Sequence, residues 1–133
     1  MTHLEAATLE SQKARLRARA AELRDEIADT LDRSEEESYQ QIAGQVRDRE
    51  DASFADLIVD VNLAEVDRDV GELRAIDAAL TRIRDGRYGV CEACGGEIAP
   101  ARLEVEPTAV RCIRCQEAWE QSQSQAQPPP STL

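Results

Sequence analysis

The sequence predicts a mostly α-helical protein: a long antiparallel helical hairpin of coiled-coil type, followed by a small four-cysteine module with a short C-terminal helix. Three observations support this prediction. Apolar residues recur at helical spacing in two long segments, the cysteines occur as two close pairs, and 32% of the 133 residues are charged while 3% are aromatic. Such a composition favours long solvated helices over a thick globular core. The predicted organisation is a hairpin in residues 1–86, the module in 87–120 and a disordered tail in 121–133.

The first helical arm is predicted over about residues 10–46. Its apolar residues follow a helical spacing, beginning with three leucines seven residues apart: Leu9, Leu16, Leu23, Ile27 and Leu31. This spacing places them on one face of a helix. The apolar series fades in the polar run 33–41 and resumes at Ile42 and Val46.

The second arm is predicted over residues 51–85. Its apolar residues recur at steps of one to five: Phe54, Leu57, Ile58, Val61, Val66, Val70, Leu73, Ile76, Leu80 and Ile83. A helix of this length would span about 50 Å, similar to the first arm, and Gly86 would end it. Matched arms favour pairing within one chain. A dimeric coiled coil built from one long broken helix is the alternative.

The turn between the arms is predicted at residues 47–53, which we call the acidic segment. Five of its seven residues are charged. Asp48, Asp51 and Ser53 are all residue types that cap helix N-termini, so the second helix is expected to start here. From the residues alone, the two aspartates are most simply ordinary turn and capping residues.

The four cysteines have the spacing of a four-thiolate zinc site. Two Cys-x-x-Cys pairs are separated by seventeen residues, and the ligands would be Cys91, Cys94, Cys112 and Cys115. Four sulfur ligands leave no position for water, which indicates one structural Zn²⁺ and a zinc-finger module. Disulfides are the alternative, but the N-terminus lacks the apolar run of a signal peptide, and a cytoplasmic location keeps thiols reduced. His3 is expected to be a solvated terminal residue.

The charge pattern limits the kinds of partner. The formal net charge is −11, whereas general nucleic-acid binding needs a basic surface. A basic groove on another protein is a better match. The chain also lacks the run of about 20 apolar residues that a membrane span requires.

The residues around the cysteines resemble the zinc finger of the DksA/TraR family. The matching features are Arg-Tyr-Gly-Val before Cys91, Ala-Arg-Leu-Glu at 101–104, Pro-Thr-Ala at 107–109 and the two cysteine pairs. The resemblance implies a non-enzymatic bacterial transcription regulator that binds RNA polymerase without sequence-specific DNA contacts. It also implies that the hairpin enters the secondary channel of the polymerase and modulates open-complex stability.

The family carries an Asp-x-x-Asp-x-Ala pattern at the hairpin tip, near the catalytic magnesium of the polymerase. Counting back from Cys91, the equivalent residues are Asp48, Asp51 and Ser53. Both aspartates match, and serine replaces the usual alanine. The resemblance therefore implies that the acidic segment is the polymerase active-centre tip.

A second departure concerns the alarmone ppGpp, which members of the family bind together with polymerase through basic residues. The corresponding positions here are Ala75, Glu106 and Gln116. A polyanion is disfavoured by Glu106, so regulation without ppGpp is expected.

Two other functions remain open at this point. A zinc-stabilised coiled-coil adaptor with another protein partner fits the acidic charge and the apolar series equally well. A transcript-cleavage factor would also place paired acids at a hairpin tip to hold magnesium. A hairpin that buries its own apolar face favours a monomer.

Overall fold

The structure, a computed structural model, describes residues 3–49 and 54–126. Asp51, Ser53 and the segment 127–133 lie outside the described residues. The helices are α1 (Ala6–Asp32), α2 (Glu37–Arg47), a 3₁₀ helix (Ala55–Ile58), α3 (Ala64–Arg84), α4 (Pro100–Val105) and α5 (Ile113–Ala126). In these ranges, β structure is limited to one isolated bridge between Val90 and Glu97. The predicted mostly helical fold is confirmed.

Helices α1 and α3 form an antiparallel hairpin. Arg19 Nη2 donates a hydrogen bond to Glu72 Oε1 at 3.1 Å, and Arg33 pairs with Glu65 at 3.9 Å, so residue numbers rise along α1 as they fall along α3. The predicted apolar series lie between the two helices. Their fully buried members are Leu16, Leu23, Ile27, Leu31, Val66, Leu73 and Ile76.

The prediction of one continuous helix over residues 10–46 is wrong. Helix α1 ends at Asp32, and α2 runs back along it. Arg47 Nη2 lies 2.8 Å from Asp29 Oδ1 and also pairs with Asp32, while the Arg24 guanidinium donates to the Arg49 carbonyl at 2.9 Å. Late residues of α2 thus contact earlier residues of α1, and the two helices are antiparallel.

The polar run at residues 33–41 gives the physical reason for this break. A continuous first arm would offer mainly polar side chains to the apolar residues 54–61 of the second arm. In the folded-back arrangement Ala43 and Val46 are buried, and so are Phe54 and Ile58. Covering this apolar surface offsets the loss of helical continuity across four residues.

The second arm also differs from the single helix predicted over residues 51–85. A turn and an extended stretch separate the 3₁₀ helix from α3, which begins at Ala64 with Leu63 at its N-cap. Asp48 is the C-cap residue of α2, where its N–H donates to the Gly44 carbonyl at 3.2 Å. The prediction that Asp48 could cap the start of the second helix is therefore wrong.

The end of α3 is as predicted. Gly86 has a φ of +74°, Arg87 N–H donates to the Arg82 carbonyl at 2.8 Å, and Gly86 N–H donates to the Ile83 carbonyl at 3.3 Å. This pair of bonds is a Schellman motif, which favours glycine because of the positive φ. It turns the chain from the hairpin into the cysteine module.

Helix α5 is longer than predicted. It reaches Ala126, so residues 121–126 are helical where disorder was expected. Three of these six residues are glutamine, a good helix former, and they continue the helix that starts at the second cysteine pair. No helix in the described ranges is long and apolar enough to cross a membrane.

Candidate metal centre and its junction with the hairpin

The first cysteine pair lies on a tight turn closed by backbone hydrogen bonds. Gly95 N–H donates to the Cys91 carbonyl at 2.9 Å, and Cys91 N–H donates to the Gly96 carbonyl at 2.8 Å. Gly95 has a φ of +74°, and Gly96 N–H points at Cys94 Sγ from 3.4 Å. The turn therefore directs backbone donors towards sulfur, an arrangement that stabilises a thiolate.

The second pair sits at the start of α5. Gln116 N–H donates to the Cys112 carbonyl at 2.9 Å, which places Cys115 in the first turn of the helix. Glu92 N–H donates to the Val110 carbonyl at 2.9 Å and thereby ties the two halves of the module together.

The four sulfur atoms converge at one point. All four Sγ atoms lie within 4.8 Å of one another, and Cys94 Sγ is 4.0 Å from Cys112 Sγ. A tetrahedral zinc with bonds of about 2.3 Å needs sulfur atoms about 3.8 Å apart, so the cluster fits Zn²⁺. With four protein sulfurs the coordination sphere is complete, and the metal has a structural role.

The environments of the individual thiols differ. Burial raises the pKa of Cys91, but backbone N–H groups of Cys112, Cys94 and Ala93 outweigh this and lower it to about 6. Hydrogen bonding to the Cys112 sulfur, with burial, raises the pKa of Cys115 to about 12. A divalent cation at the centre favours the thiolate at every ligand.

Arg111, which sequence reasoning missed, stabilises the module outside the sulfur cluster. Its guanidinium lies 3.0 Å from Glu92 Oε1 and 4.5 Å from the ring centroid of Trp119, a cation–π geometry. Its carbonyl accepts a hydrogen bond from Arg102 at 3.0 Å. Arg111 thereby links both cysteine pairs to α4 and α5.

A buried polar junction joins the module to the hairpin. Gln12 is 6% exposed, and its Nε2 donates to Tyr88 Oη at 3.1 Å and to the Leu103 carbonyl at 2.8 Å. Tyr88 Oη in turn donates to the Pro107 carbonyl at 2.7 Å. Gln12 lies between Leu9 and Leu16 at helical spacing. This position in the apolar series was the signal from which its burial could have been predicted.

The N-terminal residues add a second attachment. His3 is half-buried, and its Nε2 lies within hydrogen-bonding distance of the Ile98 carbonyl, at 2.8 Å. A Cβ built on Gly89, which has a φ of +85°, would lie 2.9 Å from Leu4 Cδ1. The expectation of a solvated His3 is therefore wrong, because the cysteine module packs against this end of the chain.

The acidic segment lies away from the metal. Its described residues Asp48 and Arg49 are exposed and lie beside α1 near Arg24, eight residues before the last residue of α1. At the far end of the described hairpin, Arg33 and Ser34 instead line one surface groove with Leu63 and Glu65. The polymerase role of Asp48, Asp51 and Ser53 stays a prediction.

Comparison with known proteins agrees with these features. Residues 86–121 match the family described as prokaryotic dksA/traR C4-type zinc finger. The chain is 32% identical over 113 residues to the RNA polymerase-binding transcription factor DksA of Salmonella typhimurium, covering 85% of this chain and 72% of that protein. It is 39% identical over 106 residues to a protein of Aquifex aeolicus, covering 74% and 71% respectively.

A solved structure extends the match to the whole fold. Transcription factor DksA2 from Pseudomonas aeruginosa matches with a TM-score of 0.63 and 25% identity, covering 92% of this chain and 90% of that chain. The alignment with the Salmonella relative includes both the hairpin and the finger, since it covers most of the chain. This protein therefore belongs to the DksA/TraR family, and its four clustered cysteines are the ligands of a structural zinc.

Proposed function

We propose that this protein is a non-enzymatic regulator of bacterial transcription that binds RNA polymerase through its secondary channel and modulates open-complex stability. The observation that carries the proposal is the alignment with a DksA described as RNA polymerase-binding, which spans 85% of this chain and so includes the hairpin. The proposal places the protein in the cytoplasm as a monomer, without sequence-specific DNA contacts.

The dimensions and charge of the molecule suit such a role. Helix α1 has 27 residues and is about 40 Å long. A rod of this kind can enter a narrow channel, and the zinc finger at its base would rest against the rim. The net charge of −11 favours a basic channel wall.

The acidic segment is proposed to act near the polymerase active centre. Asp48 is exposed and is not paired with a cation in any described ion pair, so its carboxylate is available to basic groups or to a magnesium ion. Asp51 would act beside it, and Ser53 would occupy the small neighbouring position.

Regulation without ppGpp is part of the proposal. A groove of about 470 Å³ between the hairpin and the finger is lined by three acids, Glu22, Glu72 and Glu106. Its two cations are already engaged: Arg19 with Glu72 and Glu22, and Arg15 with the Glu104 carbonyl at 2.6 Å. A highly charged anion would meet net negative charge there.

Addition of ppGpp should therefore leave the effect of the protein on open-complex lifetime unchanged. A several-fold enhancement of that effect by ppGpp would contradict regulation without ppGpp.

The test is the lifetime of open complexes at a ribosomal-RNA-type promoter, measured with purified polymerase with and without the protein. We expect a several-fold change in lifetime that Asp51→Asn abolishes while polymerase binding persists. Glu10→Gln, which neutralises an exposed acid near the base of α1 and outside the acidic segment, is the matched control and should behave as wild type.

Other outcomes separate the remaining functions. Failure to bind core polymerase would refute the proposal and leave a zinc-stabilised adaptor with another partner. Shortened transcripts from backtracked complexes would instead indicate a cleavage factor. If Asp51→Asn still changes the open-complex lifetime as wild type does, only the role of the acidic segment is refuted, and the rest of the proposal stands.

A further inference from the structure

The groove between the hairpin and the finger, which we call the junction groove, combines an apolar lining with acidic side chains. It has a volume of about 470 Å³, within the range of ligand pockets, and is lined by α1, α3 and the segment that follows α4. The side chains that supply apolar carbon are Leu16, Ala18, Ile76 and Pro107. The acids are Glu22, Glu72 and Glu106. This combination suits a positively charged group that carries an apolar stem.

Arg19 does not neutralise the acids around it. Its Nη2 lies 3.1 Å from Glu72 Oε1, and its Nη1 lies 3.0 Å from Glu22 Oε2 and 3.5 Å from Glu26 Oε1. Three carboxylates thus share one guanidinium, which leaves two negative charges. Burial and the Glu26 carboxylate raise the pKa of Asp69, one turn before Glu72 on α3. The hairpin side of the junction groove therefore has a negative potential that favours a cation.

Glu106 supplies a free carboxylate on the finger side of the groove. It is exposed, and no cation of the described residues pairs with its carboxylate. Its backbone is held at the end of α4, where its N–H donates to the Arg102 carbonyl at 2.7 Å and its carbonyl accepts from Ala109 N–H at 3.0 Å. Arg15, the other cation of the groove, donates instead to the Glu104 carbonyl at 2.6 Å. A fixed backbone and an unpaired charge prepare Glu106 for a cation from outside the chain.

We propose that the junction groove is a docking site for a basic side chain of RNA polymerase, a lysine or an arginine. The methylene stem would lie against the apolar lining, and the charged end would lie between Glu106 and the carboxylates around Arg19. Charge and shape select this occupant, because an anion would be repelled and a purely apolar side chain would leave the carboxylates without a partner. The proposal rests on the proposed function and specifies a contact at the base of the rod, where the finger would meet the channel rim.

Changes of charge in the groove give the main test. Glu106→Gln removes the free carboxylate, and Glu106→Lys reverses its charge. Because Glu106 is exposed, both variants should fold and hold zinc, which circular dichroism and zinc content verify. We expect the Kd of the zinc-loaded full chain for core polymerase to rise about five-fold for Glu106→Gln and about ten-fold or more for Glu106→Lys. Glu10→Lys makes the same charge change at an exposed position outside the groove and should stay within about two-fold of wild type.

A second pair of variants tests shape without a change of charge. Ala14 and Ala18 are exposed alanines one turn apart on α1, but only Ala18 lines the groove. Leucine is a helix former nearly as good as alanine, so neither Ala18→Leu nor Ala14→Leu should unfold α1. We expect Ala18→Leu to weaken polymerase binding about three-fold or more, because it fills space that the basic side chain needs. Ala14→Leu is the control and should bind as wild type.

Ionic strength separates a charge contact from a structural effect. Raising the salt from about 0.1 M to about 0.5 M shortens the Debye length from about 10 Å to about 4 Å. The ratio of Kd values between Glu106→Lys and wild type should therefore fall towards one, whereas the ratio for Ala18→Leu should remain. A salt-independent effect of Glu106→Lys would overturn the proposal, because it would indicate a disturbed finger.

The binding data distinguish this proposal from the proposed function. If wild type binds core polymerase and changes open-complex lifetime, but Glu106→Lys and Ala18→Leu bind equally well, the docking site is refuted and the proposed function stands. If wild type does not bind core polymerase, the proposed function fails and the docking site fails with it. If calorimetry shows that spermidine binds wild type but not Glu106→Lys, while both bind polymerase equally, the groove is a site for a free amine and the docking site is refuted.

Discussion

The two ends of the hairpin are stabilised by different interactions. At the base, four sulfurs surround a metal site, and Gln12 links α1 to the finger through buried hydrogen bonds. At the far end, α2 is held by apolar packing of Ala43 and Val46 and by exposed ion pairs, without a metal site. The difference indicates a rigid base that fixes the orientation of the rod and a distal part of low local stability.

The largest effect is expected from loss of the metal. Cys91→Ser, or removal of zinc by a chelator, should unfold residues 87–120 because zinc-finger sites supply roughly 10–16 kcal/mol of apparent folding energy. Circular dichroism should show that most of the hairpin helicity remains, while Trp119 fluorescence shifts towards that of a solvated indole. Recovery on adding zinc to the chelated wild type is the control. A finger that stays folded without metal would contradict the role given to the site.

A smaller loss is expected at the junction. Gln12→Leu keeps a similar volume but leaves the Leu103 carbonyl without its buried donor, which costs about 1–3 kcal/mol. Urea unfolding of the zinc-loaded protein measures the change. Gln45→Ala alters an exposed glutamine on α2 and should leave the free energy of unfolding nearly unchanged. Equal effects of the two substitutions would argue against the junction.

Replacing glycine by alanine should have opposite effects on stability at the two ends of the hairpin. Gly44→Ala adds a methyl group with no atom within 4 Å and should stabilise α2 by about 0.5–1 kcal/mol. Gly89→Ala instead places a Cβ 2.9 Å from Leu4 Cδ1 at a φ of +85° and should destabilise the finger. Amide exchange of α2 and of the finger reports the two effects separately. A stabilising Gly89→Ala would contradict the packing described at the base.

The smallest effect on global stability is expected from Arg47→Ala. The substitution removes exposed ion pairs to Asp29 and Asp32, and such pairs contribute little. The melting temperature should not change measurably, whereas the amides of α2 should exchange faster. A clear fall in melting temperature would mean that α2 is an integral part of the hairpin core.

The clustering of the four cysteines could be predicted from the sequence, because two Cys-x-x-Cys pairs at this spacing are typical of a structural zinc site. The apolar series also identified the residues buried between α1 and α3. Gly86 marked the end of α3 correctly, since a positive φ after a helix favours glycine.

The remaining features depend on tertiary contacts. Leu31 and Ile42 would lie on the same face of one continuous helix. Their spacing alone therefore could not reveal that the helix breaks between them and that α2 folds back. The fold-back follows from which surface covers Phe54 and Ile58, and that is decided by packing between distant segments. Gln12 and His3 were missed for the same reason, because their partners Leu103 and Ile98 lie more than ninety residues away.

Amide hydrogen exchange of the intact zinc-loaded protein tests the contrast between the two ends most directly. We predict that amides in α2 exchange at least ten-fold faster than those in the middle of α1, in α3 and around the cysteines. Exchange in α2 as slow as in α1 and α3 would contradict the account, because the far end would then be as firmly held as the base.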